Sequence, residues 1–216
     1  KRKRVLSPFP IFDPLLLHSF LESRGSTKAA LHANLIYHHL LRDKDASLET
    51  IGNIKGFPPS LVAPVQLHFV EFTTELISKE TSRDGSTTKM LMRLQDGYEI
   101  ETVVMRHGCT TVRRVEGEKR TTVCVSSQIG CKMGCKFCAT GTMGEIGSLH
   151  AGEILEQIVR ASYHCHVTVR NVVFMGMGEP MNNYEAVLAA VRQLTHRKTF
   201  GLAPSRVTVS TVGECV

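Results

Sequence analysis

The sequence lacks any window that approaches the roughly 18 uninterrupted apolar residues of a membrane span. Its N-terminal segment also lacks the apolar core of a secretory signal. These absences argue against an integral membrane protein and against a secreted one, and they predict an intracellular protein with no membrane partner. The cytoplasm is the expected compartment, and an organelle matrix (plastid or mitochondrion) is the alternative.

Acidic residues are outnumbered in this chain. It has 20 Asp and Glu against 26 Lys and Arg, so its formal net charge is +6 over 216 residues. Such a balance permits a polyanionic partner such as nucleic acid without requiring one. The most concentrated basic run, Lys1-Arg2-Lys3-Arg4, fits a nuclear address, a remnant of an organelle-targeting segment or a solvated tail. We interpret it as a solvated tail.

The chain has seven cysteines, an odd number that does not suit a framework of paired disulfides. In a reducing compartment, metal binding or catalysis is the more common use of clustered cysteines. Four of them fall close together, at Cys124, Cys131, Cys135 and Cys138, and three are scattered, at Cys109, Cys165 and Cys215. The cluster therefore marks the chemically interesting part of the sequence.

Hydrophobic periodicity predicts helices in the first third of the chain. They are expected between Asp13 and Gly25, from about residue 26 to 41 and from about 61 to 77. The stretch 81–88 is rich in Ser, Thr and Gly and is typical of a linker. The helical region is therefore predicted to end before residue 81.

Strand patterns follow the predicted linker. Asp96-Gly97 is typical of a hairpin turn, here between strands at 90–94 and 98–105. Beyond a polar loop, strands alternate with helices, and these elements are expected at 121–125, 151–163, 171–175, 184–194 and 206–210. The alternation predicts an α/β fold with a parallel sheet or a partial barrel. Ligands of such folds bind at the carboxyl ends of the strands.

Three informative segments are expected at that edge of the sheet. The first, residues 131–138, is here called the cysteine loop, and it places three thiols four and three residues apart. Thiolates are the preferred ligands of iron–sulfur clusters, and Lys132 and Lys136 would ease their deprotonation. Three cysteines can ligate three irons of a four-iron cube, which leaves the fourth iron open to another ligand. A zinc site completed by Cys124 or a nearby His is the alternative.

The second segment is Gly176-Met177-Gly178-Glu179-Pro180, here called the glycine turn. Its glycines permit a close backbone approach, and Glu179 offers a carboxylate to a small zwitterionic ligand. A tight corner between strand and loop is the structural alternative. The third segment, Ser210-Thr211, ends the last predicted strand.

These segments resemble the radical S-adenosylmethionine (SAM) superfamily. The run Cys124-Val125-Ser126-Ser127-Gln128-Ile129-Gly130-Cys131, the cysteine loop and the glycine turn are more specifically similar to the RlmN/Cfr family of dual-specificity RNA methyltransferases. The motif-bearing part covers about residues 100–213. The resemblance implies a partial (βα) radical SAM barrel, incomplete at its C-terminus and preceded by a small helical domain and a β-hairpin. The implied divisions are a helical accessory RNA-binding domain at 1–80, a linker and hairpin at 81–116, and the core at 117–216.

The family resemblance also implies the chemistry. A [4Fe-4S] cluster and SAM would be the cofactors, with an electron-donor protein as a partner. The implied substrate is an adenine ring carbon, C2 ahead of C8, in large-subunit ribosomal RNA (rRNA) and in some members also transfer RNA (tRNA). The implied residues are Cys131, Cys135 and Cys138 on the cluster, Gly178, Glu179 and Ser210 on SAM, Glu101 as proton acceptor and Cys124 as the thiol that releases the product.

Two features qualify this expectation. The chain stops after the third strand of what should be a six-unit barrel, so we expect it to be truncated. We also expect it to be inactive alone, because Cys215 does not match the family's methyl-carrying cysteine. Basic residues between the hairpin and the core either contact phosphates or form a solvated loop: Arg113, Arg114, Lys119 and Arg120. A non-catalytic RNA-binding fragment and a zinc-stabilised interaction module therefore remain as alternative functions.

Overall fold

The computed structural model describes residues 4–42, 45–108 and 120–213 and shows a mixed α/β fold. The helices are α1 (Pro14–Ser23), α2 (Ala29–Arg42), α3 (Pro59–His68), α4 (Ala151–Cys165) and α5 (Tyr184–Thr195). The longer strands are β3 (Glu75–Thr81), β4 (Thr87–Arg93), β5 (Glu99–His107), β6 (Arg120–Cys124) and β9 (Val169–Phe174). The shorter strands are β1 (Phe9–Pro10), β2 (Phe69–Val70), β7 (Gln128–Cys131), β8 (Gly144–Ser148) and β10 (Val207–Val209).

One six-stranded sheet organises the fold, with the strand order β10-β9-β6-β5-β4-β3. Strands β6, β9 and β10 are parallel, whereas β3, β4, β5 and β6 follow one another antiparallel. Cys124 lies opposite Val173, and Val209 lies opposite Phe174, so the parallel strands end in one row. This confirms the prediction that the three parallel strands end at a common edge.

The helices cover one face of the sheet. Strand β5 alternates strictly, with Ile100, Thr102 and Val104 buried on that face. Helix α4 packs there, where the Thr102 hydroxyl donates to the Gln157 amide oxygen at 2.9 Å. This period of two leaves Glu101 and Val103 on the opposite face, next to solvent. No helix in the described part of the chain is long and apolar enough to cross a membrane.

Helix α1 begins where its sequence predicts. The Asp13 carboxylate accepts hydrogen bonds from the N–H groups of Leu15 and Leu16, both at 3.0 Å, and Pro14 occupies the first helical position. The second Asp13 oxygen accepts from the Gly152 N–H at 3.1 Å. The cap of α1 therefore also attaches this helix to the start of α4.

Helix α4 carries buried polar groups in place of a purely apolar face. The Glu156 carboxylate is completely buried and accepts five hydrogen bonds, of 2.8–3.0 Å, from the N–H and hydroxyl groups of Thr73 and Thr74. The guanidinium of Arg160 also donates to Thr74 and stacks over the Phe72 ring, 4.3 Å from its centroid. These contacts fix the connection between the N-terminal helices and the sheet.

The predicted ends of two segments in this region were wrong. The helix expected at 61–77 ends at His68, and residues 75–81 form strand β3, because antiparallel pairing with β4 outweighs the local helical pattern. The expected linker at 81–88 is the turn of that β3–β4 hairpin, in which the Asp84 carboxylate accepts from Ser82 and Ser86. The hairpin around Gly97 is confirmed, and its strands belong to the same sheet as the parallel ones.

The interpretation of the basic N-terminal run as a solvated tail was wrong for Arg4. Its side chain is 4% exposed and donates to both Glu153 carboxylate oxygens, at 2.6 and 2.7 Å, and to Asp96. Burial disfavours a charged guanidinium, but the two carboxylates outweigh burial and raise the pKa of Arg4. Arg4 is therefore an anchor between the N-terminal segment and α4, and residues 1–3 lie outside the described part.

Candidate functional site

The cysteine loop lies at the end of a two-stranded antiparallel ribbon formed by β7 and β8. Cys131 is the last residue of β7, and the thiols of Cys131, Cys135 and Cys138 are free and half-exposed. The Cys138 N–H donates to the Cys135 carbonyl, and the Gly141 N–H donates to the Cys138 carbonyl, both at 3.0 Å. The loop therefore folds back on itself and holds three thiols within one short segment.

Two glycines make this loop possible. Gly130 has a φ of +71°, and a Cβ atom there would lie 1.9 Å from the Gly144 carbonyl oxygen across the ribbon. A Cβ atom on Gly141 would lie 2.9 Å from the carbonyl oxygen of Cys135. Any side chain at Gly130 would push the two strands apart at the base of the loop.

The electrostatics of the loop favour a thiolate at Cys138. A hydrogen bond from the Gly141 backbone, together with hydrogen bonds from Thr140, lowers the pKa of this thiol and outweighs the opposing effect of burial. Lys132 and Lys136 are exposed on either side of Cys135. Phe137, next to Cys138, is 94% exposed.

The three thiols are ligands of the type that an iron–sulfur cluster prefers. Among the described residues, no three side chains of the types His, Cys, Asp and Glu lie close enough to hold one metal ion. The cysteine loop therefore offers the ligand chemistry of a metal centre, and this chemistry suits a cluster as well as a zinc ion.

The glycine turn packs directly against the segment that leads into the cysteine loop. A Cβ atom on Gly176 would lie 2.8 Å from the Val125 carbonyl, and one on Gly178, whose φ is +98°, would lie 2.5 Å from the Cβ atom of Gln128. The N–H groups of Ser127 and Gln128 donate to the Met177 carbonyl at 2.8 and 3.1 Å. Two motifs about 50 residues apart in sequence thus form one structural unit.

Glu179 and Ser210 meet at the same edge of the sheet. The Glu179 side chain is buried, and its two oxygens accept from the N–H groups of Met181 at 3.0 Å and of Val212 at 3.1 Å. The Ser210 N–H donates to the Phe174 carbonyl at 3.4 Å, and the residue is exposed. The carboxylate at 179 therefore ties the segment after β10 to the glycine turn.

Glu101 and Cys124 lie on the open face of the sheet, on neighbouring strands. Cys124 pairs with Val103, so Glu101 is its diagonal neighbour, about 7–8 Å away between Cα atoms. Burial raises the pKa of the Cys124 thiol, and a hydrogen bond from the Met175 backbone opposes that effect. Glu101 is half-exposed and pairs with Lys89 at 3.4 Å. A carboxylate and a protonated thiol thus face the same space.

Comparisons with known proteins identify relatives of this chain and a solved structure of similar fold. No family model matches the chain. It is 47% identical over 142 residues to the ribosomal RNA large subunit methyltransferase N of Nitrosopumilus maritimus, over 63% of this chain and 39% of that protein. It is 36% identical over 206 residues to the probable dual-specificity RNA methyltransferase RlmN of Lysinibacillus sphaericus, over 94% of this chain and 50% of that protein. The crystal structure of a radical SAM methyltransferase from Sphaerobacter thermophilus superposes on this chain with a TM-score of 0.74 at 34% sequence identity. The superposition covers 96% of this chain and 58% of the Sphaerobacter protein.

The chain belongs to the RlmN/Cfr family. It spans about half the length of the curated relatives it matches, with 39%, 48% and 50% of three of them covered. The candidate site described above lies within the part of the family that this RlmN/Cfr chain spans.

Sequence reasoning missed one polar network of this RlmN/Cfr chain. The buried Gln157 amide on α4 accepts from the Ser126 N–H at 2.8 Å and donates to the Ser126 carbonyl at 2.9 Å. The Ser126 hydroxyl donates to the Glu101 carbonyl at 2.6 Å and accepts from the Met177 N–H at 3.0 Å. The sequence signal for this network was Gln157, a polar residue among the apolar residues of α4.

Some predicted residues cannot be placed. Arg113, Arg114 and Lys119 lie outside the described residues, as do Cys109 and Cys215. Arg120 is described as the exposed first residue of β6. Their roles therefore stay as the sequence predicts them.

Proposed function

We propose that the protein containing this chain is a radical SAM RNA methyltransferase that methylates an adenine ring carbon, C2 ahead of C8. Large-subunit rRNA is the proposed substrate and tRNA a second one. The observation that carries the proposal is that the ribbon bearing the cysteine loop packs on the glycine turn, beside the sheet edge where Cys124 and Glu101 share the open face. The division at 1–80, 81–116 and 117–216 and the partial barrel belong to the same proposal.

The cofactor proposal assigns Cys131, Cys135 and Cys138 to a [4Fe-4S] cluster and Gly178, Glu179 and Ser210 to SAM. When bound, these cofactors supply radical chemistry, which an adenine ring carbon needs because it is not nucleophilic. The buried carboxylate at 179 would attract the ammonium group of SAM, since each of its oxygens keeps acceptor capacity beyond one backbone N–H. Ser210, exposed at the next strand end, would meet the far end of the cofactor.

The proton steps are assigned to the open face. Burial keeps Cys124 protonated as a thiol near neutral pH, ready to attack only after it loses that proton. Glu101 is charged and half-exposed, so it is suited to accept the proton that leaves the methylated base. RNA and an electron-donor protein are the proposed partners.

The proposal is tested with a chain that spans the full length of the curated relatives, reconstituted anaerobically with iron and sulfide. We expect methylation of protein-free rRNA in the presence of SAM and a reductant, detected as 2-methyladenosine by mass spectrometry of digested nucleosides. Cys124→Ala and Glu101→Gln should each lower product formation by about 10²-fold or more. A protein that binds neither iron nor SAM and forms no product would contradict the proposal, and 8-methyladenosine would correct only its position.

A second expected result concerns Glu179. The change Glu179→Gln keeps the shape of the side chain and one carbonyl acceptor but removes the negative charge. Because charge-assisted hydrogen bonds contribute roughly 1.5–3 kcal/mol, SAM affinity should fall about tenfold or more. Isothermal titration calorimetry measures the affinity, and the iron content should stay at the wild-type value. Unchanged affinity would remove Glu179 from the cofactor site.

A further inference from the structure

The side chain of Gln128 joins the two motifs of the candidate site. It is fully buried, and its amide nitrogen donates to the Glu145 carboxylate at 2.9 Å and to the Ser148 hydroxyl at 3.2 Å. Its amide oxygen accepts from the Glu179 N–H at 3.0 Å. One planar group is therefore hydrogen-bonded to β8 on one side and to the glycine turn on the other.

Because Gln128 lies just before the cysteine loop in the chain, its contacts also position that loop. Gln128 is the first residue of β7 and pairs with Ser148, and β7 ends three residues later at Cys131. At its other end the ribbon has a β-bulge between Ile129 and Gly130, where Gly130 lies so close to Gly144 that neither strand has room to move inward. A shift of the Gln128 amide would therefore move the base of the cysteine loop relative to Glu179.

The glycine turn has no freedom to compensate for such a shift. Gly178 already lies so close to Gln128 that a Cβ atom there would be 2.5 Å from the Gln128 Cβ atom. The backbone of Gln128 also donates to the Met177 carbonyl at 3.1 Å. Close packing and hydrogen bonds thus hold the turn and the ribbon to the same residue.

We propose that Gln128 is a positioning residue that sets Glu179 at a fixed place relative to the cysteine loop. It acts through Glu179 and through the ribbon and does not itself contact the reacting atoms. The inference rests on the proposed function for its effect on SAM. Its geometric part concerns the protein alone and is testable without cofactors.

The first test uses Gln128→Met, which keeps the length of the side chain and removes its three hydrogen bonds. Gln193→Met is the matched control, because Gln193 is also buried and its amide nitrogen has no hydrogen-bond partner among the residues that the structure describes. In the cofactor-free protein, hydrogen exchange of the Glu179 amide should speed up about tenfold or more in Gln128→Met and stay within about twofold in the control. In reconstituted protein, SAM affinity should fall about tenfold while the iron content is unchanged.

The second test exchanges the two partners. Gln128→Glu places a carboxylate against the carboxylate of Glu145, so SAM affinity should fall at least tenfold. Adding Glu145→Gln restores a donor at 145 and leaves an acceptor at 128 for the Glu179 N–H, so affinity should return to within about threefold of wild type. A side chain that serves only to fill space would give equal affinities in the single and the double variant.

The outcomes separate the two proposals. Wild-type exchange at Glu179 in Gln128→Met, or a double variant no better than Gln128→Glu, would overturn the role of Gln128. A wild-type protein that binds no SAM would contradict the proposed function, and the exchange rate of the Glu179 amide would still decide whether Gln128 holds it. If Gln128→Met fails to fold, the comparison of Gln128→Glu with the double variant that adds Glu145→Gln decides the role of Gln128.

Discussion

Loss of the whole cluster is the expected result of changing Cys131, Cys135 or Cys138 to Ala. Each thiol would hold a different iron. After one thiol is removed, only two protein ligands would hold the cluster, on a loop whose cysteines are half-exposed to solvent. Iron and sulfide contents should fall to background, and methyl transfer should fall below detection. The broad visible absorption of the reconstituted protein should vanish with them.

The control for this experiment is Cys165→Ala. Cys165 is free and half-buried like the loop cysteines, but its sulfur lies 3.9 Å from the sulfur of Met90, on the helical side of the sheet. Its removal should leave the iron content unchanged. Full iron content in all three loop variants would refute the cluster assignment, and stoichiometric zinc in the wild type would favour the interaction module.

The second large effect is expected at Arg4, on folding stability. The change Arg4→Met leaves Glu153, which is completely buried, with a charge and without its guanidinium partner. Removing one member of a buried ion pair costs about 3–5 kcal/mol, because the remaining charge stays desolvated. Urea denaturation followed by circular dichroism should show this loss in the free energy of unfolding.

Matched variants separate burial from charge. Arg93→Met removes an arginine that pairs with Glu99 at 3.1 Å and is 45% exposed, so its cost should stay below about 1 kcal/mol. In the double variant Arg4→Met with Glu153→Gln, the buried charge is gone, and part of the lost stability should return. Equal costs for Arg4→Met and Arg93→Met would contradict the anchoring role of Arg4.

Features with local causes could be predicted from the sequence. Asp13 and Pro14 predict the start of α1, and Gly97 predicts a hairpin turn. The spacing of the cysteines likewise predicts the loop, because each of these signals acts on neighbours within a few residues. The carboxyl edge of the sheet could also be predicted, since strands that alternate with helices place their ends together. The Gly178 requirement was foreseen as close backbone approach, although the group it approaches is Gln128.

Features with distant partners could not be predicted. Residues 75–77 of strand β3 were predicted to be helical, because the pairing of β3 with β4, and not the local pattern, decides its structure. The roles of Gln128 and Ser126 depend on the glycine turn about 50 residues later. The full burial of Glu153 and Glu156 could not be predicted either, because Arg4 and the two threonines reach them from far along the chain.

The anchoring of the N-terminal segment on α4 has a consequence for synthesis on the ribosome. Arg4 and Glu153 are 149 residues apart, and Thr73 and Glu156 are 83 apart. At about 5–20 residues per second, the partner of Arg4 is made roughly 7–30 s after Arg4 itself. During that interval, α1 lacks the helix against which its cap is fixed. The nascent N-terminal region therefore cannot complete its attachment to the rest of the fold until translation has passed α4.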